Sequence, residues 1–207
     1  MPKRATIEGQ ETRALPVAEV RVSQDAEGRP VLEGYAVLWE SWSEDLGGFR
    51  ERFVRGAFSR SIEEDDVRVI WQHNPEYVFG RNTAGTAELE EDDRGLRYRV
   101  VAPDTQWARD ALESIRRGDV TQNSFMFSVP QGGDEWEIKD GMSYRTVREA
   151  RLFEVGPQTF PAYPDTSVAV RSLREWQEAQ EEEAGEEAGP ALDELRELRH
   201  QLVRASL

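Results

Sequence analysis

Short runs in which apolar and polar positions alternate fill the first three quarters of the chain. Alternation with a period of two is typical of strands with one buried face, and polar turns such as 91–95 and 131–134 separate the runs. The pattern favours an antiparallel sheet or barrel over alternating β and α units. The predicted strands cover residues 15–22, 31–39, 67–71, 86–89, 96–101, 124–129, 135–138 and 144–153.

Two segments have the spacing of helices. Residues 105–118 carry an apolar stripe, basic residues in the last turn and a terminating glycine, so we expect a helix that packs against the sheet. Residues 58–63 predict a shorter helix. The stripe consists of Trp107, Ala108, Ala111, Leu112 and Ile115.

The composition changes after Val170, which divides the chain into four predicted parts. Residues 1–12 are expected to be a flexible N-terminus, and residues 13–171 form the main domain. Residues 172–189 are rich in glutamate and predict an acidic linker or a solvated helix. Residues 190–207 begin with proline and place leucines on one side, which predicts an amphipathic helix.

Charge and composition exclude several classes of function. A net charge of −15 argues against sequence-independent binding of nucleic acid, which depends on neutralising phosphates with Lys and Arg. The chain has no cysteine, so thiolate metal sites and cysteine nucleophiles are excluded. The N-terminus lacks the apolar stretch of a secretory signal, and no run has membrane-spanning length, so no membrane association is expected.

His73 is the main candidate for acid–base chemistry, because the only other histidine lies in the charged tail. It follows a predicted strand and precedes Pro75, where a turn can present a side chain rigidly. Ser124 begins another strand, with Phe125 and Phe127 on the opposite face. Each could simply be a polar residue satisfied by hydrogen bonds, but a nucleophilic serine needs a base, and His73 is the only plausible one.

A third group that orients the base would come from the strand predicted around residues 145–155. It offers Glu149 and Glu154, whose spacing puts them on opposite faces, so only one can face Ser124. Taken alone, each is more typical of a surface strand residue. The acidic clusters lack the ordered ligand spacing of a calcium loop, and no phosphate-binding glycine motif is present. We therefore expect no cofactor and no metal.

Taken together, these segments resemble the HK97-type prohead (capsid maturation) serine proteases of tailed bacteriophages, a family related in fold to the herpesvirus assemblins. The resemblance covers roughly residues 13–171, and the order and spacing of its landmarks make it specific. The landmarks are Gly34-Tyr35-Ala36, Glu51, Gly56-Ala57-Phe58, His73-Asn74, Phe79-Gly80-Arg81, Asp93-Arg94-Gly95-Leu96, Arg117-Gly118-Asp119-Val120, Ser124-Phe125-Met126-Phe127, Leu152-Phe153-Glu154-Val155 and Thr159-Phe160-Pro161-Ala162-Tyr163-Pro164.

The resemblance implies an α+β protease domain, mainly β, with an assemblin-like antiparallel β-barrel and helices packed around it. It implies Ser124 as nucleophile and His73 as general base. Assemblins use a second histidine as the third member, and the corresponding strand position here falls on Glu149. A carboxylate can orient an imidazole equally well, so Glu149 is expected to hold His73, with Glu154 in reserve.

The activity implied by the family is a serine endopeptidase of capsid maturation that acts through an acyl-enzyme. Its partners would be the major capsid protein with its scaffold segment, and the protease itself as a substrate. The site of action would be the immature shell in the host cytoplasm. Assemblins act as dimers, which suggests a homodimer. The alternative from another functional class is a non-catalytic assembly or scaffolding protein with the same fold.

Overall fold

The computed structural model describes residues 9–14, 19–160 and 173–180. They contain α1 (Ser59–Glu64), α2 (Gln106–Arg116), a short helix α3 over 173–180 and a 3₁₀ turn at Asn82–Ala84. The described strands are β1 (Glu11–Ala14), β2 (Val20–Gln24), β3 (Pro30–Leu38), β4 (Phe49–Phe53), β5 (Arg68–Ile70), β6 (Val78–Arg81), β7 (Ala87–Glu91), β8 (Gly95–Val101), β9 (Gln122–Ser128), β10 (Asp134–Lys139), β11 (Met142–Val147) and β12 (Arg151–Gln158).

These strands form three sheets. The first has the order β1-β9-β12-β5-β6, the second β10-β11-β4 and the third β2-β3-β8-β7. Most pairs are antiparallel, but β12 runs parallel to β5 and β11 runs parallel to β4. The mainly β, α+β prediction is confirmed. The expected barrel is not, because none of the sheets built from the described residues closes on itself.

An aromatic cluster forms the centre of the core between the sheets. Phe53 of β4 contacts Phe58, Phe125 and Phe127, with ring centroids 5.2 to 5.5 Å apart. All four rings are fully buried. Rings of this size bury 150 to 250 Å² each, so the cluster is a large part of the hydrophobic stabilisation. It fixes β9, whose other face carries Ser124.

Helix α2 fits the sequence prediction closely. Thr105 caps its N-terminus by accepting a hydrogen bond from the backbone N–H of Ala108. Gly118 follows its C-terminal end with φ +80°, the left-handed conformation that glycine adopts without strain. The buried face packs against β2 and contains Ala108, Ala111, Leu112 and Ile115.

The largest departure from the predicted elements concerns residues 144–153. They do not form one strand, because β11 ends at Val147 and β12 begins at Arg151, with a turn between them. The backbone N–H groups of Arg148 and Glu149 in that turn both donate to the carbonyl of Gly133. Strands β1, β4 and β6 also lie outside the predicted set.

The described residues fall into two compact units, one within 1–169 and the other within 170–207. In the first unit, Glu11 and Thr12, at the end of the segment expected to be flexible over 1–12, belong to β1. In the second unit, residues 173–180 are helical, as the acidic linker or helix over 172–189 allows. The amphipathic helix predicted over 190–207 lies outside the described residues.

Candidate active site

His73 is presented by the turn that joins β5 to β6. Gln72 and His73 both have left-handed backbone angles, φ +57° and +52°. Non-glycine residues adopt this conformation rarely, and it persists where the surroundings enforce it. Here the N–H of Gln72 donates to the carbonyl of Pro157 on β12 at 3.1 Å, and the N–H of Asn74 donates to the carbonyl of Trp71 at 2.9 Å. The turn therefore holds the imidazole in one place.

Ser124 lies in β9, where side chains alternate between two faces. Phe125 and Phe127 enter the aromatic core, so Ser124 points to the opposite face, as the sequence predicted. Its side chain is nevertheless fully buried. Its hydroxyl lies 2.9 Å from Nε2 of His73 and 2.8 Å from the carbonyl oxygen of Arg13 in β1.

Glu154 lies in β12, the strand between β9 and β5. Its Oε1 is 2.5 Å from Nδ1 of His73. Glu154 and Ser124 come from adjacent antiparallel strands, and the turn bearing His73 follows the next strand in the sheet. Three neighbouring strands thus bring the serine, the imidazole and the carboxylate together in the order of a nucleophile, a base and an orienting acid.

The two contacts of His73 assign distinct roles to its ring nitrogens. A carboxylate only accepts hydrogen bonds, so Nδ1 carries the hydrogen that is donated to Glu154. In the neutral ring, Nε2 is then the atom able to accept the serine proton. This tautomer matches the one that activates a serine in a triad.

Glu149 does not reach this site. It lies in the turn between β11 and β12, its side chain is 43% exposed, and its Oε1 is 3.5 Å from Nη1 of Arg60. The expectation that Glu149 faces His73 assumes one continuous strand, and the turn at 148–150 interrupts that strand. The structure brings the reserve residue, Glu154, to the imidazole instead.

Gly156 makes the close packing of these strands possible. It lies opposite Ser124 in the β9–β12 ladder. A Cβ atom at this position would lie 1.9 Å from the carbonyl oxygen of Ile70, the last residue of β5. Only glycine therefore allows the segment that leads into the His73 turn to approach β12 so closely.

Buried hydrogen bonds hold Asn123, the residue that precedes Ser124 in β9. The hydroxyl of Tyr98 donates to Oδ1 of Asn123 at 2.6 Å, and Nδ2 of Asn123 donates to the carbonyl of Tyr35 at 3.0 Å. Burial raises the pKa of Tyr98 well above its usual range, although the hydrogen bond to Asn123 acts in the opposite direction. Tyr98 therefore stays neutral and donates throughout the ordinary pH range.

The sequence does not predict that the backbone carbonyl of Arg13 lies beside Ser124. Strand β1 is four residues long and contains Glu11, Thr12, Arg13 and Ala14, with no large apolar side chain. Nothing in such a segment distinguishes a strand from a polar terminus, because its partners are charged groups distant in the chain. The described residues contain no group of three or more potential metal ligands, and none of their helices is long and apolar enough to cross a membrane.

Comparison with known proteins identifies the family of this chain. The sequence model of the caudovirus prohead serine proteases matches residues 17–182, which is most of the chain. The chain belongs to this family. A comparison with curated proteins gives no match. Among solved structures, the chain is similar to the capsid assembly protease of bacteriophage T4. The sequence identity is 10% and the TM-score is 0.41, over 72% of this chain and 98% of the T4 chain.

Family membership confirms the resemblance that the ordered sequence landmarks indicated. It also places the chain among the proteases. The matched range contains His73, Ser124 and Glu154, the three residues that the structure brings together.

Proposed function

We propose that this protein is a serine endopeptidase of phage capsid maturation, with Ser124 as nucleophile, His73 as general base and Glu154 as the residue that orients His73. The observation that carries the proposal is the continuous hydrogen-bonded chain from Ser124 Oγ through both ring nitrogens of His73 to Glu154. Membership in the prohead serine protease family supports the same reaction class.

The proposed reaction uses these contacts. Ser124 Oγ attacks the carbonyl carbon of a peptide bond while Nε2 of His73 takes the hydroxyl proton, which gives a tetrahedral oxyanion. The C–N bond then breaks, and the imidazolium returns the proton to the leaving amine, so the acyl group stays on Ser124 as an ester. Water, deprotonated by His73, hydrolyses the ester and regenerates the serine. Glu154 stabilises the imidazolium that forms in both halves.

The substrates that fit the family are scaffold and capsid protein segments inside the immature shell, together with the protease itself. The acidic C-terminal region suits a removable segment that recruits the enzyme to its site of action. A homodimer remains part of the proposal, by the resemblance to assemblins.

Incubation of the protein with the phage's own major capsid protein tests the function. Wild type should shorten the capsid protein at a defined bond, seen by electrophoresis and intact mass. Ser124→Ala and His73→Ala should leave it intact while retaining the wild-type circular dichroism. Ser128→Ala is the matched control, since Ser128 occupies the same face of β9 further along the strand, and it should cleave normally.

The same variants decide between the protease and the scaffolding alternative. A scaffolding role predicts that shells mature equally well with Ser124→Ala, whereas the proposed function predicts that they do not. Self-processing is tested by the mass of the purified protein, because identical trimming of the tail in wild type and Ser124→Ala would contradict it.

A further inference from the structure

Strand β1 covers the candidate nucleophile in this structure. It pairs antiparallel with the edge of β9, with Ala14 opposite Ser124 and Thr12 opposite Met126. It is the outermost strand of its sheet, and Ser124 beneath it is fully buried. A peptide that must present its carbonyl to Ser124 would have to lie where β1 now lies.

The contact between Ser124 and β1 also competes with the base. The hydroxyl has one hydrogen, and two acceptors lie within reach, Nε2 of His73 at 2.9 Å and the carbonyl oxygen of Arg13 at 2.8 Å. When the hydrogen is donated to Arg13, Nε2 receives no proton from Ser124, and Oγ lies beside a carbonyl oxygen instead of attacking a carbonyl carbon. The segment is thus held as a peptide at the nucleophile without reacting.

The opposite face of β1 is held by buried charges. Arg13 Nε donates to Glu51 Oε1 at 2.9 Å, and Arg145 Nη1 donates to Oε1 of Glu11 at 2.9 Å and to Oε2 of Glu51 at 2.8 Å. All four side chains are at most 3% exposed. Burial alone would lower the pKa of Arg145, but Glu51 and Glu11 beside it raise the pKa above the usual range.

These buried groups match the charges of β1. Glu51 in β4 and Arg145 in β11 belong to the body of the domain, whereas Glu11 and Arg13 belong to the segment that is held. The buried Glu51 can pair with a basic side chain at the position of Arg13. The buried Arg145 can pair with an acidic side chain two residues earlier. A wrong charge there would be desolvated without a partner, which disfavours binding.

We propose that the β9 edge beside Ser124 is the substrate site, where an extended peptide with the pattern acid-x-base adds as a strand, and that β1 occupies this site as an internal pseudo-substrate. Substrate binding then requires β1 to leave, and main-chain bonds to the strand edge give affinity while the Glu51 and Arg145 positions give specificity. This inference rests on the proposed function of Ser124.

A reversible lock on β1 provides the test, because the natural chain has no cysteine. The pair Thr12→Cys and Met126→Cys places two thiols on directly opposite residues of β1 and β9, within the Cα separation that a disulfide spans. The control pair Glu90→Cys and Arg97→Cys joins β7 to β8, in another sheet. The readout is the rate at which a fluorophosphonate probe labels Ser124 in the full chain, measured by intact mass.

The proposal predicts that oxidation of the β1–β9 pair slows labelling at least tenfold and that a reductant restores it, while the control pair is unaffected. Equal labelling of the locked and reduced forms would overturn the proposal. Absence of labelling in every form, including the variant Arg13→Glu in which β1 should be released, would instead overturn Ser124 as the nucleophile, and the inference would fail with it. A mass shift of about two hydrogens verifies each lock.

The selectivity is tested by competition in Arg13→Glu, whose new charge faces Glu51 and should release β1. This variant should label several-fold faster than wild type, whereas Arg21→Glu, at an exposed arginine of another sheet, should not. A capped peptide of residues 9–14 should slow the labelling of Arg13→Glu, and the same peptide with its glutamate and arginine exchanged should not. Equal effects of both peptides would contradict the acid-x-base pattern.

Discussion

Glu154→Gln removes the charge that faces Nδ1 of His73 while keeping the size of the side chain. The amide of the new residue can donate a hydrogen to Nδ1, which places the imidazole hydrogen on Nε2, the atom that accepts the serine proton in the proposed reaction. Both the charge and the tautomer are therefore lost at a contact of 2.5 Å. We expect a large fall in the reactivity of Ser124 with little change in the fold.

The magnitude can be bracketed in two ways. A unit charge pair about 4 Å apart interacts by about 4 kcal/mol at an effective dielectric constant of about 20, which corresponds to a factor of about 10³ in rate. Replacing the carboxylate of a serine protease triad by an amide costs about 10⁴ in kcat, because the wrong tautomer is held. The second-order rate constant for labelling Ser124 with a fluorophosphonate should thus fall by about 10³ to 10⁴.

Glu149→Gln is the matched control, because Glu149 was the first choice from the sequence and lies in an exposed turn. It should label at the wild-type rate, and thermal melting should show that both variants remain folded. A Glu154→Gln rate within about tenfold of wild type would refute the assignment of Glu154. An equal loss in both variants would show that the effect does not act through the contact with Nδ1.

Three further predictions concern the scaffold of the site. Gly156→Ala should destabilise the fold by about 3 kcal/mol through the contact with Ile70, and it should also abolish labelling of Ser124 in the folded fraction. Gly95→Ala, with a similar clash against Val37, should destabilise the fold but leave the labelling of Ser124 in the folded fraction unchanged. Phe53→Ala should lower the free energy of unfolding by about 3 to 5 kcal/mol in urea titrations. Tyr98→Phe should cost about 1 to 3 kcal/mol, because Asn123 Oδ1 loses its donor. The pKa of Tyr98 is raised in the folded state, so the stabilising contribution of Tyr98 is present below the unfolded pKa of about 10 and is lost as the pH rises above it. The free energy of unfolding of wild type should therefore fall more steeply in alkali than that of Tyr98→Phe. Parallel slopes would contradict this.

Much of this site could be predicted from the sequence because it depends on local pattern. The scarcity of histidine identified His73, and the alternation of Ser124 with two phenylalanines identified the face of β9 that the structure shows. Helix α2 was predicted within two residues at each end, since its cap, stripe and terminating glycine are all local signals.

The remainder depends on contacts between distant residues. The choice between Glu149 and Glu154 required the turn at 148–150, which is fixed by hydrogen bonds to Gly133. Strand β1 has only charged and small side chains, and it forms because Glu51 and Arg145, far along the chain, provide its partners. No local periodicity encodes either feature.

The order β9-β12-β5 also determines when the three proposed catalytic residues can come together during synthesis. His73 is made first, Ser124 follows, and Glu154 comes last, on the strand that must insert between the other two. A ribosome-bound chain that ends before β12 holds neither the ladder that joins Ser124 to the His73 turn nor Glu154. The contacts among Ser124, His73 and Glu154 can therefore form only after β12 has been made, so the proposed hydrolysis cannot precede the synthesis of residues 151–158.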